Sequence, residues 1–470
     1  SNPAHNATAV AVGSDIVINF SEVVDIENGN ITIKKKSNNS IVETIDVTSN
    51  QVSGSGTSQI TINPTNDLDS FTEYYLQINS TAFDDVASNS YVGIFDSWTL
   101  IGSDIDGENA DDNSGYSVSL SSDGSVVAIG ATNNNGNGTK SGHVRIYENS
   151  NGSWTQIGSD IDGENSEDYS GWSVSLSDDG SVVAIGAHRN DGTGTNAGHV
   201  RIYENSNGTW IQIGSDIDGE AIDDHSGNSV SLSGDGSVVA IGAYDNDGNG
   251  SASGHVRIYE NSNGTWTQIG SDIDGEASED YSGTSVSLSN DGSIVAIGAI
   301  YNAGVNGAQS GHVRIYENSN GTWTQIGSDI DGEAANDQSG HSISLSGDGS
   351  TIAIGATRND GNGSNSGHVR IYENINGTWT QIGSDIDGEA ADDASGNSVS
   401  LSYDGSTVAI GAYDNDGNGG GSGHVRIYEN NNGTWTKIGD DIDGEYSSDH
   451  SGFSVSLSGD GSIVAIGARY

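Results

Sequence analysis

The chain has 470 residues, enough for two or three domains. Its 66 acidic and 14 basic residues leave a net charge of −52, which excludes a nucleic-acid partner, because phosphate binding needs clustered Lys and Arg. There is no cysteine, hence no disulfide framework and no thiol chemistry, and no apolar run is long enough to cross a bilayer. Charge of this size also implies self-repulsion that bound cations would relieve. Methionine is absent even at position 1, so the chain reads as a processed or excised piece, with any targeting segment outside it.

Residues 1–97 are not repetitive. Short apolar or alternating runs at Ile16–Phe20, Asn30–Lys35, Ile41–Val47, Gln59–Asn63, Tyr74–Ile78 and Tyr91–Phe95 are separated by turn-type residues. Short strands at this density predict a small β-sandwich. Lys34-Lys35-Lys36, a basic run, is expected on a solvated strand edge, where it blocks edge pairing. The segments NPAHNATAVAVGSDIVINFSEVV, YYLQINSTAFDDVASNSYVGI and WTL resemble the Ig-like modules of bacterial surface proteins. That resemblance implies a spacer in a long extracellular chain.

Residues 98–470 are an array. Trp98, Trp154, Trp210, Trp266, Trp323, Trp379 and Trp435 recur every 56 or 57 residues. Each full unit offers four strands: SVSLS, alternating small polar with apolar; IVAIGA, continuously apolar; HVRIYE, alternating again; and TWTQIG. Gly, Asn, Asp and Ser fill the gaps without helical periodicity. Four strands in each of seven units predict a seven-bladed β-propeller, because radial packing buries both faces of each sheet. An open β-solenoid is the alternative, although its units are usually shorter. The last unit stops at Tyr470 after its second strand. Tyr91–Phe95 with Trp98 could complete the blade, or the chain could simply continue.

The units resemble FG-GAP propeller repeats. Ser-Gly before SVSLS stands for Phe-Gly, IGA stands for Gly-Ala-Pro, and GHVRIY resembles the family's next strand. GHVRIY is also similar to a WD-repeat strand, without the Trp-Asp ending. The FG-GAP calcium loop lies between the first two strands; here that loop is only SxDGS, too short to wrap an ion.

In an up-and-down blade the loop entering the first strand and the loop after the second share one face, the top. The units differ most there. Before SVSLS stand Tyr116, Trp172, Asn228, Thr284, His341, Asn397 and Phe453. Before Ser-Gly stand Asn113, Tyr169, His225, Tyr281, Gln338, Ala394 and His450. After IGA stand Thr132, His188, Tyr244, Ile300, Thr357, Tyr413 and Arg469. Variation on a rigid scaffold marks either binding specificity or drift at exposed loops.

Two acidic patterns on the same face suggest Ca²⁺, which takes clustered hard oxygens. DxDGExxxD occurs in every unit, as Asp160, Asp162, Glu164, Asp168 and as Asp385, Asp387, Glu389, Asp393. DxDxNG is intact twice, as Asp245, Asp247, Asn249 and as Asp414, Asp416, Asn418. The competing reading is that these residues form turns on their own backbone. His143, His199, His255, His312, His368 and His424 open the third strand of six units. One per blade, they are too far apart for a zinc cluster and are expected to make structural hydrogen bonds. Arg145, Arg201, Arg257, Arg314, Arg370 and Arg426 are expected to pair with neighbouring acids. Asn151, Asn207, Asn263, Asn320, Asn376 and Asn432 lie in Asn-Gly hairpin turns that are also glycosylation motifs.

Near-equal units offer no asymmetric nucleophile–base cluster, so catalysis is not expected. The expected function is that of an extracellular or cell-surface protein without enzymatic activity. It would act in adhesion, as a scaffold or in filaments, binding an extracellular protein or a glycan, or associating with itself. The alternative is a lectin-like propeller that stacks sugars on Tyr169, Trp172, Tyr244, Tyr281 and Tyr413.

Overall fold

A computed structural model describes residues 15–35, 41–65, 68, 74–78, 82–85 and 98–469. Among them every helix or strand is a β-strand. The chain divides into two compact units, Ser1–Thr99 with Ile438–Asp440, and Leu100–Lys437 with Asp441–Tyr470.

The first unit holds β1 (Ile16–Ile26), β2 (Asn30–Lys35), β3 (Ile41–Asp46), β4 (Val52–Ser53), β5 (Thr57–Ile62), β6 (Tyr74–Ile78) and β7 (Phe83–Asp85). They form two antiparallel sheets, ordered β4-β5-β1-β7 and β3-β2-β6. Period-2 alternation sends Ile31 and Ile33 from one sheet, and Ile60 and Ile62 from the other, into a core shared with Ile45, Ile78 and Phe83. The lysine expectation is corrected. Lys34 and Lys35 lie on β2, the middle strand of its sheet, so they guard no edge. Lys36 and the candidate strand Tyr91–Phe95 lie outside the described residues.

The second unit is a seven-bladed propeller. In its first blade β8 (Ser114–Leu120), β9 (Val126–Ala131), β10 (His143–Ser150) and β11 (Ser153–Gln156) pair in the order β11-β10-β9-β8. A fifth short strand, β12 (Ile161–Asp162), pairs with the start of β10. Five more sheets repeat this pattern. The seventh consists of Ser454–Leu457 and Val464–Gly467. The first strands of successive blades pack side by side, and that of the seventh packs on β8, so the ring closes on itself and is no solenoid.

The repeated residues explain this closure. Ser117 Oγ donates to Gly171 O of the next blade at 2.8 Å, and Ser119 Oγ accepts the Leu176 amide at 3.0 Å. The polar positions of SVSLS therefore join blades near the axis. Ser454 Oγ reaches Gly115 O, and the Leu120 amide reaches Ser456 Oγ, so the same bonds link the seventh blade to the first. The second strand is apolar throughout because its two faces meet different blades. Val183 and Ile185 pack with Ala128 and Val144 on one side. Val182 and Ala184 pack with Val239 and Ile241 on the other. Outside, Trp210 Nε1 donates to Ile157 O at 2.9 Å, a staple repeated at the other blade junctions. Each Asn-Gly hairpin is a left-handed pair, such as Asn151 (φ 53°) and Gly152 (φ 80°), which matches the twist of its strands.

Candidate functional site: an aromatic crescent and acid–histidine clusters

Strand pairing brings the start of the first strand, the end of the second and the start of the third to one face. His143, for example, lies opposite both Ala131 and Asp162. The variable positions of neighbouring blades meet there in a chain of ring contacts. Tyr413 touches His450 and Phe453; Phe453 touches Tyr116; Tyr116 lies 4.5 Å from Trp172. The chain continues from Trp172 to His188 at 3.9 Å, to His225, and to Tyr244, stacked at 15°. It ends through Tyr281 at Tyr301. Tyr169 joins at His188 and sits beneath the Lys140 and Arg189 cations. Arg469 covers Phe453 at 3.9 Å. Beyond Tyr301 the fifth blade offers Gln338, His341 and Thr357, and the sixth offers Ala394 and Asn397 before the run starts again at its Tyr413, so the aromatic rim is a crescent.

Polar bonds fix the floor of this crescent. Trp172 Nε1 donates to Asn228 Oδ1 at 3.0 Å, and Asn228 Nδ2 to Thr284 O at 3.0 Å. Asn397 Nδ2 reaches Phe453 O at 2.8 Å. His188 is 2% exposed; burial, and then the nearby His225, lower its pKa well below the usual value. Burial, and then the Asp245 charge, raise the Tyr244 phenol. Tyr169, Trp172, Tyr244, Tyr281 and Tyr413 are thus all brought to the crescent, each of them half-buried. Tyr116, Phe453, His188, His225, His450 and Tyr301 complete it. The variability of their positions signalled all but Tyr301.

The acidic residues divide among several tasks. Asp168 is 2% exposed and accepts the Asn165 amide and Asn190 Nδ2, both at 2.9 Å. Asp393 does the same with the Ala390 amide and Asn415. Asp162 and Asp387 lend their backbone carbonyls to Arg201 and Arg426. Asp160 and Asp385 accept from Gln156 and Gln381 at 2.6 and 2.7 Å. In the DxDxNG loops Asp245 stands 2.9 Å from His225 Nδ1 and Asp414 3.2 Å from His450 Nδ1. Asp247 and Asp416 cap the Ala252 and Gly421 amides. Asn249 and Asn418 donate to Gly275 O and Gly444 O.

The third-strand histidines differ from expectation. Each is 1% exposed, yet in His143, His199 and His368 both ring nitrogens lack a hydrogen-bond partner. Each imidazole instead faces carboxylates from two different connections. The sets are Glu108, His143, Asp160; Glu164, His199, Asp216; Glu220, His255, Asp272; Glu276, His312, Asp329; and Glu333, His368, Asp385, with one further set. In the first, His143 Nδ1 is 3.9 Å from Asp160 Oδ2 and 4.0 Å from Glu108 Oε2. Burial, and then the arginine two residues on, hold His199, His255, His312 and His368 down at about 4, so these rings are neutral. The arginines hydrogen-bond a carbonyl first. Arg201 Nη2 is 2.7 Å from Asp162 O, while Glu164 is 3.9 Å from Nη1.

Fold and residues together define a β-propeller of acidic repeats that follows an Ig-like module along the chain. Residues 1–99 match the bacterial Ig-like domain, and residues 160–203 and 329–372 match the FG-GAP repeat, so a bacterial Ig-like domain precedes a propeller that contains FG-GAP repeats. No curated protein matches the chain. Among solved structures it is similar to the periplasmic gluconolactonase of Pseudomonas aeruginosa, at 13% identity and a TM-score of 0.50, covering 94% of this chain and 99% of that one. It is also similar to the hydrazine synthase of Kuenenia stuttgartiensis, at 13% identity and a TM-score of 0.50, covering 76% and 96%. Likeness at this identity shows the fold alone. It nevertheless corrects the expectation that the chain is not an enzyme, because proteins named as enzymes carry this propeller and the fold does not exclude catalysis.

Proposed function

We propose that the propeller is a ligand-binding module of an extracellular surface protein, and that its crescent stacks on carbohydrate. The unbroken run of ring contacts from Tyr413 through Trp172 to Tyr301 carries this reading. Sugars present apolar C–H faces edged with hydroxyls. A row of fixed, half-buried rings bordered by Asp245, Asp414 and Asn228 offers both kinds of contact without ordering a flexible surface. The Ig-like module before the propeller supports display outside the cell. Among the described residues no helix is long and apolar enough to cross a membrane.

A glycan array probed with the full chain tests the proposal. Saturable binding that weakens about ten-fold or more in Trp172→Ala and in Tyr244→Ala is the expected result. No glycan bound, or affinity unchanged in both variants, would overturn it. Loss of an immobilised extracellular protein in the same variants would assign the face to protein adhesion instead.

A further inference from the structure

We propose that each acid–histidine set holds a divalent transition-metal ion. The ligands are the glutamate of the connection entering the blade, the histidine that opens its third strand, and the aspartate of the connection leaving it. The observation that points to a ligand is the histidine itself. His143 is 1% exposed, and neither ring nitrogen has a hydrogen-bond partner. Buried polar nitrogens are seldom left so in folded proteins. Its Nδ1 faces Asp160 at 3.9 Å and Glu108 at 4.0 Å, too far for hydrogen bonds. Two ligands on one zinc ion, each at about 2.0–2.2 Å, stand roughly 3.4 Å apart in a tetrahedron, so each carboxylate closes by about half an ångström. Glu108 is exposed and free to make that movement.

Donor chemistry selects the ion. One imidazole with two carboxylates suits Zn²⁺ or Mn²⁺; Ca²⁺ prefers oxygens alone, and Cu⁺ prefers sulfur. Supporting bonds orient the ligands. Asp160 Oδ1 accepts Gln156 Nε2 at 2.6 Å, leaving Oδ2 toward the histidine. In the next blade the second oxygen of Glu164 is 3.9 Å from Arg201. In two of the sets the aspartate also borders an open cleft. Asp160 lines an open cleft of about 280 Å³ walled by Tyr203 and Trp210, and Asp216 lines one of about 450 Å³ walled by Tyr259 and Trp266.

The test uses the full chain, stripped with a chelator and titrated with ZnCl₂ by calorimetry, then with CoCl₂ as a visible-absorption probe. The expected stoichiometry is about six ions per chain, the number of sets. His199→Gln should remove about one equivalent while the metal-free protein keeps its far-UV spectrum and melting midpoint. Should His199→Gln fail to fold, Asp216→Asn and Glu164→Gln, which keep the side-chain shape, must each weaken or remove one equivalent. The absence of saturable binding, or a count and affinity both unchanged in the variants that fold, would overturn the proposal. Stoichiometric displacement of zinc by millimolar CaCl₂ would overturn it too, because the site would then select a hard cation.

Discussion

The indole of Trp172 and the imidazole of His188 are 3.9 Å apart between ring centroids, in adjoining loops of one blade, with His188 almost fully enclosed. This pair couples the crescent to pH. The folded pKa of His188 lies below the unfolded value of 6.5, so the unfolded chain binds more protons in the window beneath 6.5. The stability this group contributes is present above 6.5 and is lost as pH falls toward the folded value, at up to about 1.4 kcal/mol per pH unit. Urea melts at pH 7 and pH 5 should therefore show a smaller acid loss in His188→Phe than in the parent. Equal losses would show that His188 takes its proton without unfolding.

The ring should be sensitive to its axial serines. Ser119→Ala leaves the Leu176 amide without its acceptor between two blades, a cost of about 1–3 kcal/mol. Ser456→Ala removes the matching bond from the Leu120 amide, where the seventh blade meets the first. Similar losses by chemical denaturation are expected, since the two bonds are equivalent by geometry. A silent Ser456→Ala would mean that the closing junction is held elsewhere.

The glycine of IGA is required by space. A Cβ on Gly186 would lie 2.1 Å from the backbone oxygen of Gly227 in the next blade. Gly186→Ala must push two blades apart and should cost more than about 3 kcal/mol, beyond ordinary overpacking. Gly152→Ala meets nothing within 4 Å and is opposed only by its φ of +80°, at about 1–2 kcal/mol. Thermal melts of the two variants should rank them in that order.

The aspartates of one DxDGExxxD loop should differ sharply. Asp168→Ala strands Asn190 Nδ2 beneath the surface and removes the acceptor of the Asn165 amide, for a loss of about 1–3 kcal/mol. Asp160→Ala removes one partly exposed bond to Gln156 and should cost about 1 kcal/mol or less in metal-free protein. Equal losses, measured in chelator, would contradict the division of labour between them.

Much of this architecture is local and therefore legible along the chain. Alternation in SVSLS and HVRIYE, the apolar run IVAIGA, the Asn-Gly turns and the recurring tryptophans are set by backbone periodicity and turn geometry, which act between near neighbours. They specified strands, blades and the face on which variable residues gather. The fate of individual polar side chains was not legible, because it depends on register between segments far apart. Asp160 and Asp168 stand in one loop and look alike in the sequence; packing buries the second under Asn190 and leaves the first beside a histidine. Glu108, His143 and Asp160 share no local motif. They meet because β12 pairs with the start of β10 while the preceding connection reaches the same strand end.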